Sequence, residues 1–179
     1  MRLTTLARRY AGALFRAAKD ADAIDNVESD LGLISYTLQA APRLREALAH
    51  PLIPPARKKE IVAELFEGAI QDVTLHFLGL LIDKRREEVL EDVEPEYVRL
   101  ANEFQNIMPV VVTSAVPLTS DEVAGLQAKL AEFTGKKVEL ELEEDPSLIG
   151  GLVVRISDTV IDGSVRGYLA SLKDRLLGE

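Results

Sequence analysis

Two spacings of apolar residues divide the chain. Up to about residue 104, apolar side chains recur every three or four residues, as at Leu6, Tyr10 and Leu14, which is the period of one face of an α-helix. After Met108, short β-branched runs and strict alternation of apolar and polar residues replace that period, which indicates strands. The pattern therefore predicts a helical region followed by a region of mixed helix and strand.

Six helices are predicted in the first region, separated mainly by prolines and by Gly68. The fifth is apolar on more than one face, so we expect it to be the central helix around which the others pack. Pro95 lies inside the sixth and is expected to kink or split it. The predicted helices span residues 4–18, 27–38, 42–49, 54–66, 70–82 and 89–104.

The second region is predicted to contain, in order, a strand, a helix, three strands and a final helix. Thr119 and its neighbours offer a helix start, Gly135 offers a stop, and a tight turn is expected at Ser157 and Asp158. The predicted strands cover residues 109–116, 137–143, 152–156 and 159–161, and the predicted helices cover residues 119–133 and 164–177. The apolar face of the last helix consists of Val165, Tyr168, Leu169, Leu172 and Leu176.

A run of helices followed by a mixed unit indicates two domains. The predicted fold class is mainly α, with a helical domain over residues 1–105 and a smaller α+β domain over residues 106–179. The boundary is expected near residues 105–109, where the period changes.

The amino-acid composition excludes several kinds of functional site. The 179 residues have a formal charge of -9 and contain no cysteine and only two histidines, His50 and His76. These counts exclude disulfides, thiolate nucleophiles and histidine-rich metal sites, so no cofactor is predicted. The excess of acidic residues opposes binding to nucleic acid. The longest apolar stretch, residues 77–82, is far shorter than the roughly 20 residues of a membrane span, and we expect no direct membrane insertion, no secretory signal and a cytoplasmic location.

No convincing catalytic group emerges. His76 lies within the most apolar helix, where a structural histidine is favoured over a general base. A small hydrolase using His76, Asp158 or Asp162 is kept as a competing hypothesis. The glycine-rich segment from Asp145 to Gly167 could hold an anion, but Asp162 or Ser164 acting as a helix cap explains most of it.

Three segments, in order along the chain, resemble one family. Residues 150–156 (GGLVVRI) and 160–167 (VIDGSVRG) resemble the signature of the delta subunit of F-type ATP synthases, whose mitochondrial counterpart is the oligomycin-sensitivity-conferring protein. Residues 7–15 (ARRYAGALF) resemble the first helix of that family, and residues 78–86 resemble its fifth.

The resemblance implies a non-catalytic stator subunit. Its amino-terminal domain would be a six-helix bundle on top of the catalytic head, bound to amino-terminal segments of alpha subunits. Its second domain would bind the b-subunit stalk, so that the chain resists rotor torque. The resemblance also implies one copy in the complex, held by other subunits at the cytoplasmic face of the bacterial inner membrane. The alternative from the residues alone is a two-domain cytoplasmic adaptor for amphipathic helices, unrelated to the synthase.

Two sets of contact residues are predicted. The groove for the alpha-subunit helix is assigned to Tyr10, Ala11, Leu14, Leu78 and Ile82, against the alternative that these residues are core. The contact with the b stalk is assigned to the final helix and the corner before it, against the alternative of a folding role, with Asp162, Gly163, Ser164, Arg166 and Tyr168 as the named residues. Tyr168 stands where the family often has a basic residue, and Asp83-Lys84 stands where it often has a neutral asparagine before the basic pair.

Overall fold

A computed structural model describes residues 2–177, which fold into a mainly helical chain with one four-stranded sheet. Within this range there are eight α-helices, of which six precede the first strand. The chain divides into two compact units between Ala101 and Asn102, called here the helical unit and the sheet unit. The helices are α1 (Arg2–Asp20), α2 (Ile24–Ala40), α3 (Pro42–Ala49), α4 (Pro55–Phe66), α5 (Asp72–Asp83), α6 (Leu90–Gln105), α7 (Ser120–Thr134) and α8 (Val165–Leu177).

The helical unit has one buried core to which all six of its helices contribute. The residues spaced at three and four in the sequence supply it, including Leu31 and Ile34 of α2 and Val93 and Tyr97 of α6. α5 contacts α1, α2, α4 and the 3-10 turn Glu87–Val89, in agreement with its predicted central position. In the part of the chain that the structure describes, no helix is long and apolar enough to cross a membrane.

Buried polar contacts fix the position of α5. The carboxylate of Asp30, on α2, accepts hydrogen bonds from the backbone N–H of Gln71 at 2.8 Å and from the hydroxyl of Thr74 at 2.6 Å. Asp30 therefore caps the first turn of α5 from a neighbouring helix, where the free N–H groups of a helix need acceptors. At the other end, the buried Lys58 pairs with Glu87 in the turn after α5, with Nζ and Oε1 2.7 Å apart.

Pro95 does not split the sixth helix, and a kink there, the other predicted outcome, stays a prediction. α6 runs unbroken from Leu90 to Gln105 with Pro95 as its sixth residue. Pro95 has no N–H to donate to the carbonyl of Glu91, so α6 lacks one backbone hydrogen bond at this position. Val93 and Tyr97 on either side are buried, so packing holds the helix together there.

The sheet unit has strand order β2-β1-β3-β4, with β1 (Ile107–Ser114), β2 (Lys137–Glu144), β3 (Leu152–Ile156) and β4 (Thr159–Asp162). β1 pairs in parallel with β2 and antiparallel with β3. α7 makes the crossover from β1 to β2 and covers one face of the sheet, where Leu130 packs with Val110, Val112, Val138 and Val154.

The ends of these elements follow local chemistry. Thr119 and Glu122 form a complete capping box at the start of α7, and Gly135 ends it in the left-handed conformation, as predicted. β1 spans residues 107–114, two residues earlier than predicted, because the Ser114 hydroxyl donates to the carbonyl of Val116 and turns the chain. Val116 is consequently exposed and outside the strand.

A glycine-rich corner joins the sheet to α8. Gly151 has φ 75°, and a Cβ at this position would lie 2.2 Å from the carbonyl oxygen of Gly163, so only glycine fits. The N–H of Gly163 donates to Leu152, and the N–H of Val165 donates to Gly150. The backbone of residues 150–152 thereby holds the start of α8.

Candidate functional site

A long open groove lies between α1 and α5 of the helical unit. It has a volume of about 990 Å³ and a mainly apolar wall. Its lining residues are Leu6, Arg9, Tyr10, Ala13, Leu14, Arg16 and Ala17 from α1, Val73, His76, Phe77 and Leu80 from α5, and Lys84 and Arg86 just after it. A groove of this kind between two helices can hold the apolar face of a third helix.

The two faces of α1 explain why the groove is present. Ala7, Ala11 and Ala18 are fully buried, and their small side chains allow α1 to lie close to the core. Residues one position away along the helix then remain at the surface. Across the groove floor, the rings of Tyr10 and Phe77 meet edge to face with their centroids 6.3 Å apart.

The structure divides the five predicted groove residues. Tyr10 and Leu14 line the groove, although Leu14 is buried and also belongs to the core. Ala11, Leu78 and Ile82 are buried in the core and do not line it. Contact of these three residues with a partner stays a prediction, and the groove does not require it.

Sequence reasoning missed most of the wall on α5. Val73, His76, Phe77 and Leu80 are spaced at three, four and seven residues, the same signal that was read at Leu78 and Ile82. α5 is apolar around most of its circumference, so periodicity alone does not distinguish its groove face from its core face. The polar residues His76 and Lys84 were the available signal in the sequence for which side of α5 faces the groove.

The rim of the groove is basic. Arg9, Arg16, Lys84 and Arg86 belong to its lining, and no Asp or Glu does. Asp83 is the adjacent carboxylate in sequence, but it pairs with Lys59 at 2.6 Å. His76 is exposed on the groove wall, and its Nδ1 lies 2.7 Å from the carbonyl oxygen of Asp72, one turn earlier in α5. This hydrogen bond supports the structural interpretation of His76.

The second predicted surface lies at the glycine corner. Asp162 accepts a hydrogen bond from the N–H of Ser164, and the hydroxyl oxygen of Ser164 accepts one from the N–H of Gly167, which caps α8. The hydrogen bonds from Ser164, and more weakly the charge of Arg166, hold the pKa of Asp162 below its ordinary value. The predicted cap at Asp162 or Ser164 is thus present, with both side chains taking part.

Four of the five residues assigned to the stalk contact border one shallow depression. These are Asp162, Gly163, Ser164 and Tyr168. Arg166 is exposed outside it and donates to the hydroxyl oxygen of Ser147 at 2.7 Å. Whether these residues contact a stalk stays a prediction.

α8 leaves its apolar face uncovered. Tyr168 is 69% exposed, Leu169 is 50% exposed, and Val165 and Leu172 are each 41% exposed. The side chain of Leu176 lies outside the described residues. These leucines and the valine were identified in the sequence as one face of the final helix, which was predicted as a candidate for stalk contact, although only Tyr168 of this face was named as a contact residue.

Uncovered apolar faces of this size, one a groove and one a helix, are typical of proteins that bind other proteins. Comparison with known proteins identifies which such family this is. The family model described as ATP synthase delta (OSCP) subunit matches residues 6–176, and the chain belongs to that family. The resemblance seen in the sequence is confirmed, and an adaptor unrelated to the synthase is not favoured.

Individual relatives match along nearly their whole length. The chain is 42% identical to ATP synthase subunit delta of Heliobacterium modesticaldum, covering 96% of this chain and 93% of the relative. It is 38% identical to the subunit of the same name from Syntrophomonas wolfei, covering 96% and 94%. A chain in the cryo-EM structure of the Toxoplasma gondii mitochondrial ATP synthase hexamer has the same fold, with a TM-score of 0.63, 24% identity and coverage of 96% and 97%.

Proposed function

We propose that this chain is a non-catalytic peripheral-stalk subunit of an F-type ATP synthase, linking the catalytic head to the b-subunit stalk. Its membership of the delta family is the observation that carries the proposal. In this assignment the six helices before β1 act as one bundle on the head, and the sheet unit binds the stalk. The subunit is present as one copy, at the cytoplasmic face of the inner membrane, and other subunits hold it there.

The α1/α5 groove is the proposed seat for the amino-terminal segment of an alpha subunit. Its apolar floor and its length along two helices suit an amphipathic helix better than a small molecule. Burying an apolar helix face there would remove Leu6, Tyr10 and Leu80 from water, which provides the main driving force.

Calorimetry with a synthetic alpha-subunit amino-terminal peptide and the full chain tests this proposal. Leu80→Glu places a charge on the groove wall and should weaken binding by about tenfold or more, because the charge would lose its hydration on docking. Leu33→Glu is the matched control, since Leu33 is similarly exposed on α2 and does not line the groove. The absence of heat with the unmodified chain would contradict the proposed function.

The stalk contact is assigned to α8 and the glycine corner. Val165, Tyr168, Leu169 and Leu172 repeat at three and four residues and are uncovered in the isolated chain, as is typical of a helix that packs against partner helices. Co-purification with the b subunit should fail for Leu169→Glu. It should be retained for Phe133→Glu, which changes an exposed residue of α7 in the same unit. Equal loss in both variants would argue against α8 as the contact.

A further inference from the structure

The strongest unexplained feature of the helical unit is the distribution of its positive charge. The chain as a whole is acidic, with 30 Asp and Glu against 21 Lys and Arg. The α1/α5 groove nevertheless has four basic residues and no acidic residue among those that line it. The rim therefore has the opposite sign to the molecule that carries it.

These four basic side chains are also without ion-pair partners. Elsewhere in the helical unit, five basic residues pair with carboxylates of this unit, while Arg43 and Arg85 pair with none that the structure describes: Arg8 pairs with Glu96, Arg45 with Glu91, Arg57 with Glu60, Lys58 with Glu87 and Lys59 with Asp83. Within residues 2–177, Arg9, Arg16, Lys84 and Arg86 form no ion pair. All four are exposed, so their charges face whatever occupies the groove.

Helix electrostatics account for only part of this cluster. Lys84 and Arg86 follow the last turn of α5, where positive charge stabilises the negative end of the helix dipole. Arg9 and Arg16 lie within α1, away from its ends, where the dipole gives no such benefit. Arg16 uses its Nε to donate to the carbonyl of Gly12, which leaves its terminal nitrogens available.

We infer that the groove selects an amphipathic helix whose apolar stripe is flanked by carboxylates. This inference rests on the proposed docking function and adds the charge of the partner. Arg9 and Arg16 are seven residues apart, which places them on one side of α1 at a separation of about 10.5 Å along its axis. Acidic residues seven apart on the occupant match that spacing, while Lys84 and Arg86 offer charge along the opposite wall.

The basic rim and the apolar floor are expected to contribute differently to binding. Exposed ion pairs each change affinity by only about fivefold or less, and complementary charge acts mainly on the association rate and on partner choice. The floor is therefore expected to supply most of the affinity and the rim to supply discrimination.

The test uses the full chain and three designed 21-residue peptides with the same leucine stripe, flanked by glutamate, glutamine or lysine. We expect the glutamate peptide to bind tightest and the lysine peptide weakest. Raising NaCl from about 50 mM to about 500 mM should weaken the glutamate peptide roughly tenfold, because the Debye length shortens from above 10 Å to below 5 Å, and should leave the glutamine peptide nearly unchanged.

Two double variants locate the effect. Arg9→Gln/Arg16→Gln should weaken the glutamate peptide by roughly fivefold to tenfold and leave the glutamine peptide unaffected. The control Arg43→Gln/Lys129→Gln removes the same charge from exposed positions outside the groove and should change neither. Arg9→Glu/Arg16→Glu should restore binding of the lysine peptide, a result that only a sign-specific contact gives.

The synthetic alpha-subunit peptide is measured in parallel to separate the two proposals. If it binds, but the three designed peptides bind equally and without salt dependence, the charge inference is wrong and the docking function stands. If the glutamate peptide is preferred but the alpha-subunit peptide does not bind, the assigned partner is wrong and the acidic preference stands. Failure of all four peptides overturns both.

Discussion

The two units of this chain differ in how the candidate binding surface of each relates to its buried core. The helical unit buries a large core from all six helices and keeps a separate concave groove on its surface. Among its described residues the sheet unit buries six apolar side chains, five in one cluster between α7 and the sheet and the sixth, Leu148, in the 3-10 turn before β3, and it leaves α8 with its apolar face open to water. In the first unit the binding surface is additional to a complete core, whereas in the second an element is left without cover.

This difference indicates where each unit is sensitive to change. Side-chain packing and buried hydrogen bonds should dominate the stability of the helical unit. The sheet unit, with its small core, should depend more on backbone geometry at the glycine corner and on helix caps. Substitutions in the two units test that contrast.

The largest effect is expected for Gly151→Ala. The added Cβ would overlap the carbonyl oxygen of Gly163 at a backbone position with positive φ, and we expect a loss of about 3 kcal/mol or more, confined to the sheet unit. Gly125→Ala is the control, because a Cβ there meets nothing within 4 Å and alanine favours the middle of α7. Amide hydrogen exchange, resolved by segment, measures both. Equal destabilisation of residues 2–101 would break the contrast.

In the helical unit, the corresponding destabilising substitution is expected to be Asp30→Ala. It leaves the part-buried N–H of Gln71 and the buried hydroxyl of Thr74 without their acceptor, at a cost of about 2–4 kcal/mol. Chemical denaturation gives the value, with Glu46→Ala, an exposed carboxylate of α3, as the control. Because α5 forms one wall of the groove, the variant should also weaken binding of the alpha-subunit peptide. An unchanged midpoint would show that α5 does not need this cap.

Acid should weaken the sheet unit more than the helical unit. Hydrogen bonds lower the pKa of Glu122 through Thr119, of Asp145 through Ser147 and of Asp162 through Ser164, all in the sheet unit, and in the helical unit a hydrogen bond from Arg8 lowers the pKa of Glu96. A carboxyl with a lowered folded pKa contributes stability above its unfolded value of about 4, and loses it as pH falls through the folded value.

Thermal unfolding, followed by NMR between about pH 6 and pH 2.5, tests this predicted loss of stability in acid. The transition of the sheet unit should fall first, beginning near pH 4. In a variant with Glu122→Gln, Asp145→Asn and Asp162→Asn, the unfolding temperature of the sheet unit should fall less as the pH is lowered. If both units lose stability in parallel in the unmodified chain, the caps do not distinguish them.

The smallest effect is expected on α8. Leu169→Ser should change stability by less than about 0.5 kcal/mol, because half of this side chain already lies in water. Leu130→Ala, in the small core beneath α7, should cost about 2–4 kcal/mol. Denaturant titration of the two variants gives both values. A large effect at Leu169 would mean that α8 is covered within the chain itself.

Local chemistry made much of the fold predictable. The capping box at Thr119, the stop at Gly135 and the first-turn proline at Pro42 each fix an end of a helix through contacts a few residues apart. The parallel pairing of β1 with β2 is different, because it depends on how α7 folds back over the sheet. Neither strand carries a local signal for its partner.

The groove was only half predictable for a similar reason. Tyr10 and Leu14 stand out because α1 alternates between buried alanines and larger residues. On α5 the apolar residues surround the helix, and only tertiary packing decides that Leu80 faces the groove while Leu78 faces the core. Asp30 carried a readable signal, since a carboxylate among the apolar positions of α2 requires a buried donor.

The way the chain passes from one unit to the other has a mechanical consequence. A single residue, Asn106, separates α6 from β1, and β1 is one of the two inner strands of the sheet, hydrogen-bonded to β2 and to β3. A pull on the amino-terminal end of β1, along the strand, would therefore act on an inner strand. It must slide β1 past two ladders at once and cannot peel an edge strand away one bond at a time. Such a pull would load both ladders in shear, the direction in which a sheet resists pulling most strongly.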